Sequence, residues 1–202
     1  IPSGNEYAYL ETPVTKVLVA PYDAKQIYMA QISNLDKKYD PAIEPIRALY
    51  DEYFGGGMNS IVFQEMRETR GLAYSAWASI MPPSYLKYRY VLRTQIATQN
   101  DKMIDAVTTF NDIINNMPES EAAFKLAKDG LTNRLRTERI IKGDIIWSYI
   151  NAQDLGQNVD PRIKLYNDIQ NMSLKDIVDF QKQWVKGRTY VYCILGDKKD
   201  LE

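Results

Sequence analysis

Two side chains in this sequence could act together on an oxygen that carries or gains negative charge: Arg67 and Tyr74, seven positions apart in Arg67-Glu68-Thr69-Arg70-Gly71-Leu72-Ala73-Tyr74. A guanidinium stays charged and offers several donors in a fixed fork, while a phenol is a neutral donor near neutral pH. The pair suits an oxyanion or a polarised carbonyl, and neither group can activate water as a metal ion does. The rest of the chain adds little further chemistry. It has no His and one Cys, Cys193, so neither a typical catalytic zinc site nor a Ser-His-Asp triad can be assembled within it. Carboxylate-only Mg or Ca sites survive that exclusion, but no Asp- and Asn-rich loop of the calcium-binding kind is present. Cys193, inside Tyr190-Val191-Tyr192-Cys193-Ile194-Leu195, reads as a packed thiol on a core strand.

The elements that must position Arg67 and Tyr74 are legible around them. Gly55-Gly56-Gly57 forms a glycine-rich loop, and Asn59-Ser60 with apolar residues at 58, 61, 62 and 66 predicts an amphipathic helix starting near Ser60. Arg67 and Arg70 put cations in its last turn, and Gly71 offers the left-handed position that ends a helix. The run from Tyr74 to Ile80 then mixes aromatic and small residues as a strand does. Arg67 and Tyr74 thus flank one tight corner, close enough for guanidinium and phenol to converge. Each also has a plainer reading: an Arg in a last helical turn complements the dipole, and a Tyr opening a strand packs. Arg70, nearer the capping glycine, reads as structural.

The run Phe54-Gly55-Gly56-Gly57-Met58, followed by Ser60, Phe63-Gln64-Glu65, Arg67-Glu68 and Arg70-Gly71-Leu72-Ala73-Tyr74, resembles the second-half signature of the pitrilysin/insulysin family of zinc peptidases, which includes mitochondrial processing peptidase-like proteins. The order of elements is similar over almost the whole chain. The resemblance implies that this is the non-zinc half of a paired enzyme, with Arg67 and Tyr74 contributed to an active site whose zinc sits on the partner half. There the family carries His-x-x-Glu-His and a further Glu ligand, with the motif Glu as general base. It also implies that Gly55, Gly56 and Gly57 contact peptide substrate, although this loop is shorter than that of the processing peptidases and is equally a tight connection between helices. No cofactor is then expected in this chain; zinc and the partner half lie elsewhere, and the substrate is an extended peptide. Two other readings stand: a scaffold of the same fold that has lost catalysis, as in core subunits of a respiratory complex, and a freestanding peptide-binding module.

Along the chain, residues 1–13 read as a linker or arm and 14–202 as one unit. Strands are expected at Val14 to Ala20 and Gln26 to Ser33, the latter with Ile27 and Met29 on one face and Tyr28, Ala30 and Ile32 on the other. Asp40-Pro41 predicts a helix to Phe54. Met81-Pro82-Pro83-Ser84 turns the motif strand into a second, Tyr85 to Thr98, with Tyr88, Tyr90, Leu92, Thr94 and Ile96 sharing a face. Helices follow: one capped by Asp101 and ended by Pro118, one from about Ser120 to Ile141, one from Asp144 to Leu155 that presents Ile146, Trp147 and Ile150, one opened by Asp160-Pro161, and a last one capped by Ser173 with Asp176 completing a capping box. Thr189 to Leu195 returns as a strand. The sum is an α+β fold, a two-layer sandwich of an antiparallel-rich mixed sheet packed against several helices.

Composition bounds the partners. A net charge of −1 argues against nucleic acid or an anionic membrane as the main partner. No apolar run is long enough to span a bilayer, Ile1 to Asn5 is not a signal peptide, and the missing initiator Met reads as an excised piece or a processed product. Compartment stays open between cytoplasm and bacterial periplasm.

Overall fold

The computed structural model describes residues 8–197 and 199. Residues 1–7 of the expected arm lie outside the described residues, as do 198 and 200–202. Five strands form one mixed sheet: β1 (Lys16–Pro21), β2 (Ile27–Lys38), β3 (Ser75–Met81), β4 (Arg89–Thr98) and β5 (Val191–Gly196), in the spatial order β1-β5-β2-β4-β3. β1 and β5 run parallel, and every other pairing is antiparallel. The β3–β4 hairpin is as expected, and β3 is an edge strand.

Alternation along the strands separates two faces. Met29, Ile96, Ala76, Ala78, Tyr90 and Leu92 enter one core with Leu49, Tyr50, Phe54, Phe110, Ile177, Phe180 and Trp184 from the helices. The helices are α1 (Glu44–Phe54), α2 (Ile61–Phe63), α3 (Met103–Asn115), α4 (Glu121–Thr137), α5 (Ile145–Asp154), α6 (Pro161–Ile169) and α7 (Leu174–Trp184). The core is aromatic where α1, α7 and the sheet meet: Phe180 stacks on Trp184 at 5.0 Å, and Tyr90 meets Trp184 edge-on at 5.3 Å. Burying each such ring contributes about 1.5–3 kcal/mol before entropy. Behind them Gln181, buried, accepts from the Tyr50 hydroxyl and donates to the Ile114 carbonyl, so its amide is satisfied at both ends.

Local signals held where a side chain closes its own helix end. Asp160 accepts from the Arg162 amide at 3.0 Å with Pro161 opening α6, Ser120 accepts from Ala123 at 3.2 Å, and Ser173 with Asp176 forms the capping box of α7. Gly156 and Gly187 take positive φ, 66° and 72°, where the helices stop. Several boundaries move. Asp40-Pro41 does not open α1: Asp40 instead accepts from Ala42 at 2.8 Å and from Ile43 at 3.0 Å in a turn, and the helix begins at Glu44 with Pro45 in its first turn. Tyr85 and Tyr88 stay in the turn, stacked edge-on, and β4 starts at Arg89. A 3-10 turn, Asn100–Lys102, precedes α3, so Asp101 is not its cap. The helix opened by Ser120 ends at Thr137. Cys193 is half-buried, less enclosed than a core-strand reading implies.

α5 stands apart. It buries none of its residues, and Ile145, Ile146, Trp147 and Tyr149 are each more than half exposed. A ten-residue helix is marginal in water unless something packs on it. Among the described residues no helix is long and apolar enough to cross a membrane.

Candidate functional site

The corner between α2 and β3 is held from several sides. Ser60 caps the helix, accepting from the Phe63 amide at 3.4 Å and donating to the Gly57 carbonyl at 2.6 Å, which ties the glycine loop to the helix start. After Phe63 the helix widens into a π-helical turn, Gln64–Thr69. Gly71, at φ 57°, then reverses the chain, and the Leu72 and Ala73 amides both return to the Met66 carbonyl, at 2.8 and 3.2 Å. The Thr98 hydroxyl binds the Leu72 carbonyl at 2.6 Å, Lys102 Nζ the Gly71 carbonyl at 3.1 Å, and the Tyr74 amide the Ala97 carbonyl at 2.8 Å. Met66 is fully buried beneath. A backbone fastened at this many points fixes where the two side chains leave it.

Those side chains meet. The Arg67 guanidinium lies 5.6 Å from the centre of the Tyr74 ring and 5.2 Å from that of Phe63, within cation–π range of both. Tyr74 is 69% exposed and the Arg67 side chain 46%. Glu68 stands off from the Arg67 guanidinium at 3.6 Å, a loose exposed pair worth at most about 1 kcal/mol. Arg70 turns to Glu65 at 3.3 Å instead, in keeping with its structural reading. The corner therefore presents a charged fork and a phenol side by side, accessible and lightly engaged.

The three glycines differ in what requires them. A Cβ on Gly55 would fall 2.3 Å from the Ala78 carbonyl oxygen, and one on Gly56 2.7 Å from that of Asp51, so packing alone accounts for both. Gly57 meets nothing within 4 Å. Together with Met58, Phe63 and β3 they line an open groove of about 370 Å³.

Behind β3 lies a part-buried polar network that sequence reasoning missed. Arg47 donates to Asp51 at 2.9 Å, to Glu44 at 2.9 and 3.0 Å, and to the Ile80 carbonyl at 3.1 Å; Asp51 accepts from the Ile80 amide at 2.8 Å and the Ser79 hydroxyl at 2.9 Å; the Tyr90 hydroxyl donates to Glu44 at 2.6 Å. Burial pushes the Asp51 carboxyl up to about 6, against the pull of Arg47 and the bonds from Ile80 and Ser79. Burial and the neighbouring Glu44 likewise push the Tyr90 phenol up. The network clips the edge strand to α1 and so fixes the floor of the groove. Its signal was present as Glu44, Arg47 and Asp51 at helical spacings of three and four. Phe63 was also missed, though it stands four residues before Arg67.

The site so far is an accessible Arg–Tyr corner on an α+β unit, with no cluster of metal ligands among the described residues. The chain belongs to the family described as the peptidase M16 inactive domain, which matches residues 14–131 and bears out the resemblance to pitrilysin-like proteins. It is 26% identical over 212 residues to a "Non-peptidase homolog YmxG" of Helicobacter pylori, across 98% of this chain and 47% of that protein. Its fold is similar to a peptidase M16 inactive domain from Pseudomonas fluorescens (TM-score 0.76, 16% identity, 98% of this chain, 48% of that one) and to a protease from H. pylori (TM-score 0.74, 13% identity, 95% and 48%). The chain spans about half the length of each of these three proteins. Zinc, which the family implies, finds no fit here: the sequence has no His, and among the described residues no group of three or more His, Cys, Asp or Glu could hold a metal ion.

Proposed function

We propose that this chain is the non-zinc half of a two-half zinc metalloendopeptidase, closing over the zinc-bearing half and offering Arg67 and Tyr74 to an extended peptide. The observation that carries the reading is the convergence of guanidinium and phenol, both accessible, on a corner fastened by the Met66, Leu72 and Gly71 carbonyls. Arg67 orients a peptide carbonyl through its fork, and the Tyr74 hydroxyl donates to the oxygen that becomes negative in the tetrahedral intermediate. Water activation belongs to the other half. α5 supports the existence of that half, since its unburied Ile145, Ile146 and Trp147 call for an apolar surface, and the YmxG homologue and the P. fluorescens protein are about twice as long as this chain.

A second reading, a peptide-holding half without catalysis, is favoured by one observation, the name of the H. pylori relative as a non-peptidase homologue. Turnover decides between them. With the partner half present, Arg67→Ala and Tyr74→Phe should each slow peptide cleavage by roughly 100- to 1000-fold. Rates within about twofold of the parent sink the oxyanion role. A parent assembly that binds peptide but cleaves none establishes the second reading.

A further inference from the structure

The two edges of the sheet are finished differently. At β3 the outward groups are engaged: the Ala78 amide reaches the Gly55 carbonyl at 3.4 Å, the Ile80 amide reaches Asp51 at 2.8 Å, and the Ile80 carbonyl accepts from Arg47 at 3.1 Å. At β1 no loop or side chain does this among the described residues, and no strand lies beyond it. All six of its residues are exposed, Val17, Leu18 and Val19 each by more than half. The Lys16 amide bonds the Tyr190 carbonyl at 3.0 Å and the Tyr22 amide the Gly196 carbonyl at 2.7 Å, so the even-numbered residues turn their backbone groups to β5 and Val17 and Val19 turn theirs outward. The register sets Val17 and Val19 beside Tyr192 and Ile194, on the face that carries the core, and Leu18 beside Cys193 on the opposite face. A bare apolar edge of this kind is a template for another strand.

We infer that β1 is the contact through which two copies of this protein associate, pairing antiparallel with itself about a twofold axis at Leu18. The occupant is a second copy because the strand matches itself group for group. With Leu18 opposite Leu18 of the other copy, Val17 falls opposite Val19, and these outward-turned residues exchange both of their N–H to carbonyl bonds, twice over by symmetry. Their side chains meet as apolar pairs on the helix side of the sheet, and the two leucines meet on the other side. Lys16 falls opposite Ala20, so the one charge on the strand faces no like charge. Pro21, whose missing amide would lie on the free edge, stands at the end where pairing stops. Five strands from each copy then make one continuous sheet with both helix layers on the same side. Association closes at two, because the edges that remain are the engaged β3 strands. None of this depends on what Arg67 and Tyr74 do.

The test uses the complete protein. Sedimentation equilibrium from micromolar to submillimolar concentration should show a reversible dimer. Leu18→Asp and Leu18→Lys each set like charges against each other on the axis and should each weaken the dimer by about tenfold or more, while an equimolar mixture of the two restores it. Circular dichroism should show both variants folded, since Leu18 is exposed. Disulfide trapping reads the register, in a Cys193→Ser background because Cys193 is the β5 neighbour of Leu18. Leu18→Cys should link two copies, since residues opposite each other without shared hydrogen bonds stand about 4.5 Å apart at Cα, inside the disulfide reach of about 4.4–6.8 Å. Val17→Cys should not, because two residues of offset put it about 8 Å from its own copy. A monomer at every concentration, a dimer indifferent to both Leu18 charges, or Val17→Cys linking as readily as Leu18→Cys overturns the inference. A monomer whose Val17 and Val19 amides resist hydrogen exchange overturns it too, and gives the edge to another segment of the same polypeptide.

Discussion

Replacing Gly55 by Ala tests whether the glycine loop is a packing device. The added Cβ would lie 2.3 Å from the Ala78 carbonyl oxygen, 2.5 Å from its amide nitrogen and 2.8 Å from its Cα. All three are backbone atoms of the edge strand, so no side chain can rotate away. Relief requires β3 to move outward by about 1 Å or the end of α1 to retreat, and either loosens the Asp51 bonds to Ser79 and Ile80. Overpacking costs about 1–3 kcal/mol, and a clash with backbone belongs at the upper end, about 3 kcal/mol. At about 2–4 °C per kcal/mol for a chain of this size, the melting temperature should fall by about 6–12 °C. Gly57→Ala is the internal control: its Cβ meets nothing within 4 Å, so stability should change by no more than about 0.5 kcal/mol. Thermal unfolding followed by circular dichroism reads both. A Gly55→Ala protein that melts with the parent, or a Gly57→Ala protein that falls as far, refutes the close-approach reasoning.

Two further outcomes follow from the buried carboxylate and the exposed helix. Asp51, at about 6 in the fold against an ordinary 3.8, keeps its proton in the folded state where the unfolded chain has lost it. Its contribution is therefore fully present below about pH 4, declines as pH rises to about 6 and is flat above, by about 3 kcal/mol in all. Urea unfolding across this range should show that decline in the parent and a flatter profile in Asp51→Asn; parallel profiles would show that the carboxyl does not titrate there. Trp147→Ser on α5 should leave the stability of this chain within about 0.5 kcal/mol, because the side chain is 61% exposed, yet weaken association with the partner half by about 30-fold or more. Unchanged association in a titration of the two halves removes α5 from the interface.

What the sequence disclosed follows the range of the interactions involved. The Ser173–Asp176 box, the Asp160–Pro161 start and the Gly71 corner are decided within a few residues, and all three were legible. Asp40-Pro41 misled because its side chain is spent on a local turn, so the helix waits for Pro45. The insertion of β5 between β1 and β2 depends on pairings across most of the chain, which no local pattern encodes. The π-helical turn, Gln64–Thr69, likewise carried no signature in the local pattern. Arg67 and Tyr74 were found through motif spacing. Phe63 was not, because its role depends on the ring lying under the guanidinium rather than on any chemistry of its own. The Glu44–Arg47–Asp51 series looked like ordinary surface pairing on a helix, and only the sheet's edge converts it into a part-buried clip.

The central claim is that Arg67 and Tyr74 act on one peptide group as a unit. A double-mutant cycle measures that most directly: peptide affinity, and turnover where there is any, for the parent two-half protein, Arg67→Ala, Tyr74→Phe and the double variant. Side chains 5.6 Å apart that share a ligand should couple, with the double variant losing less than the sum of the single losses by about 1 kcal/mol or more. Strictly additive losses, or none, would contradict the account.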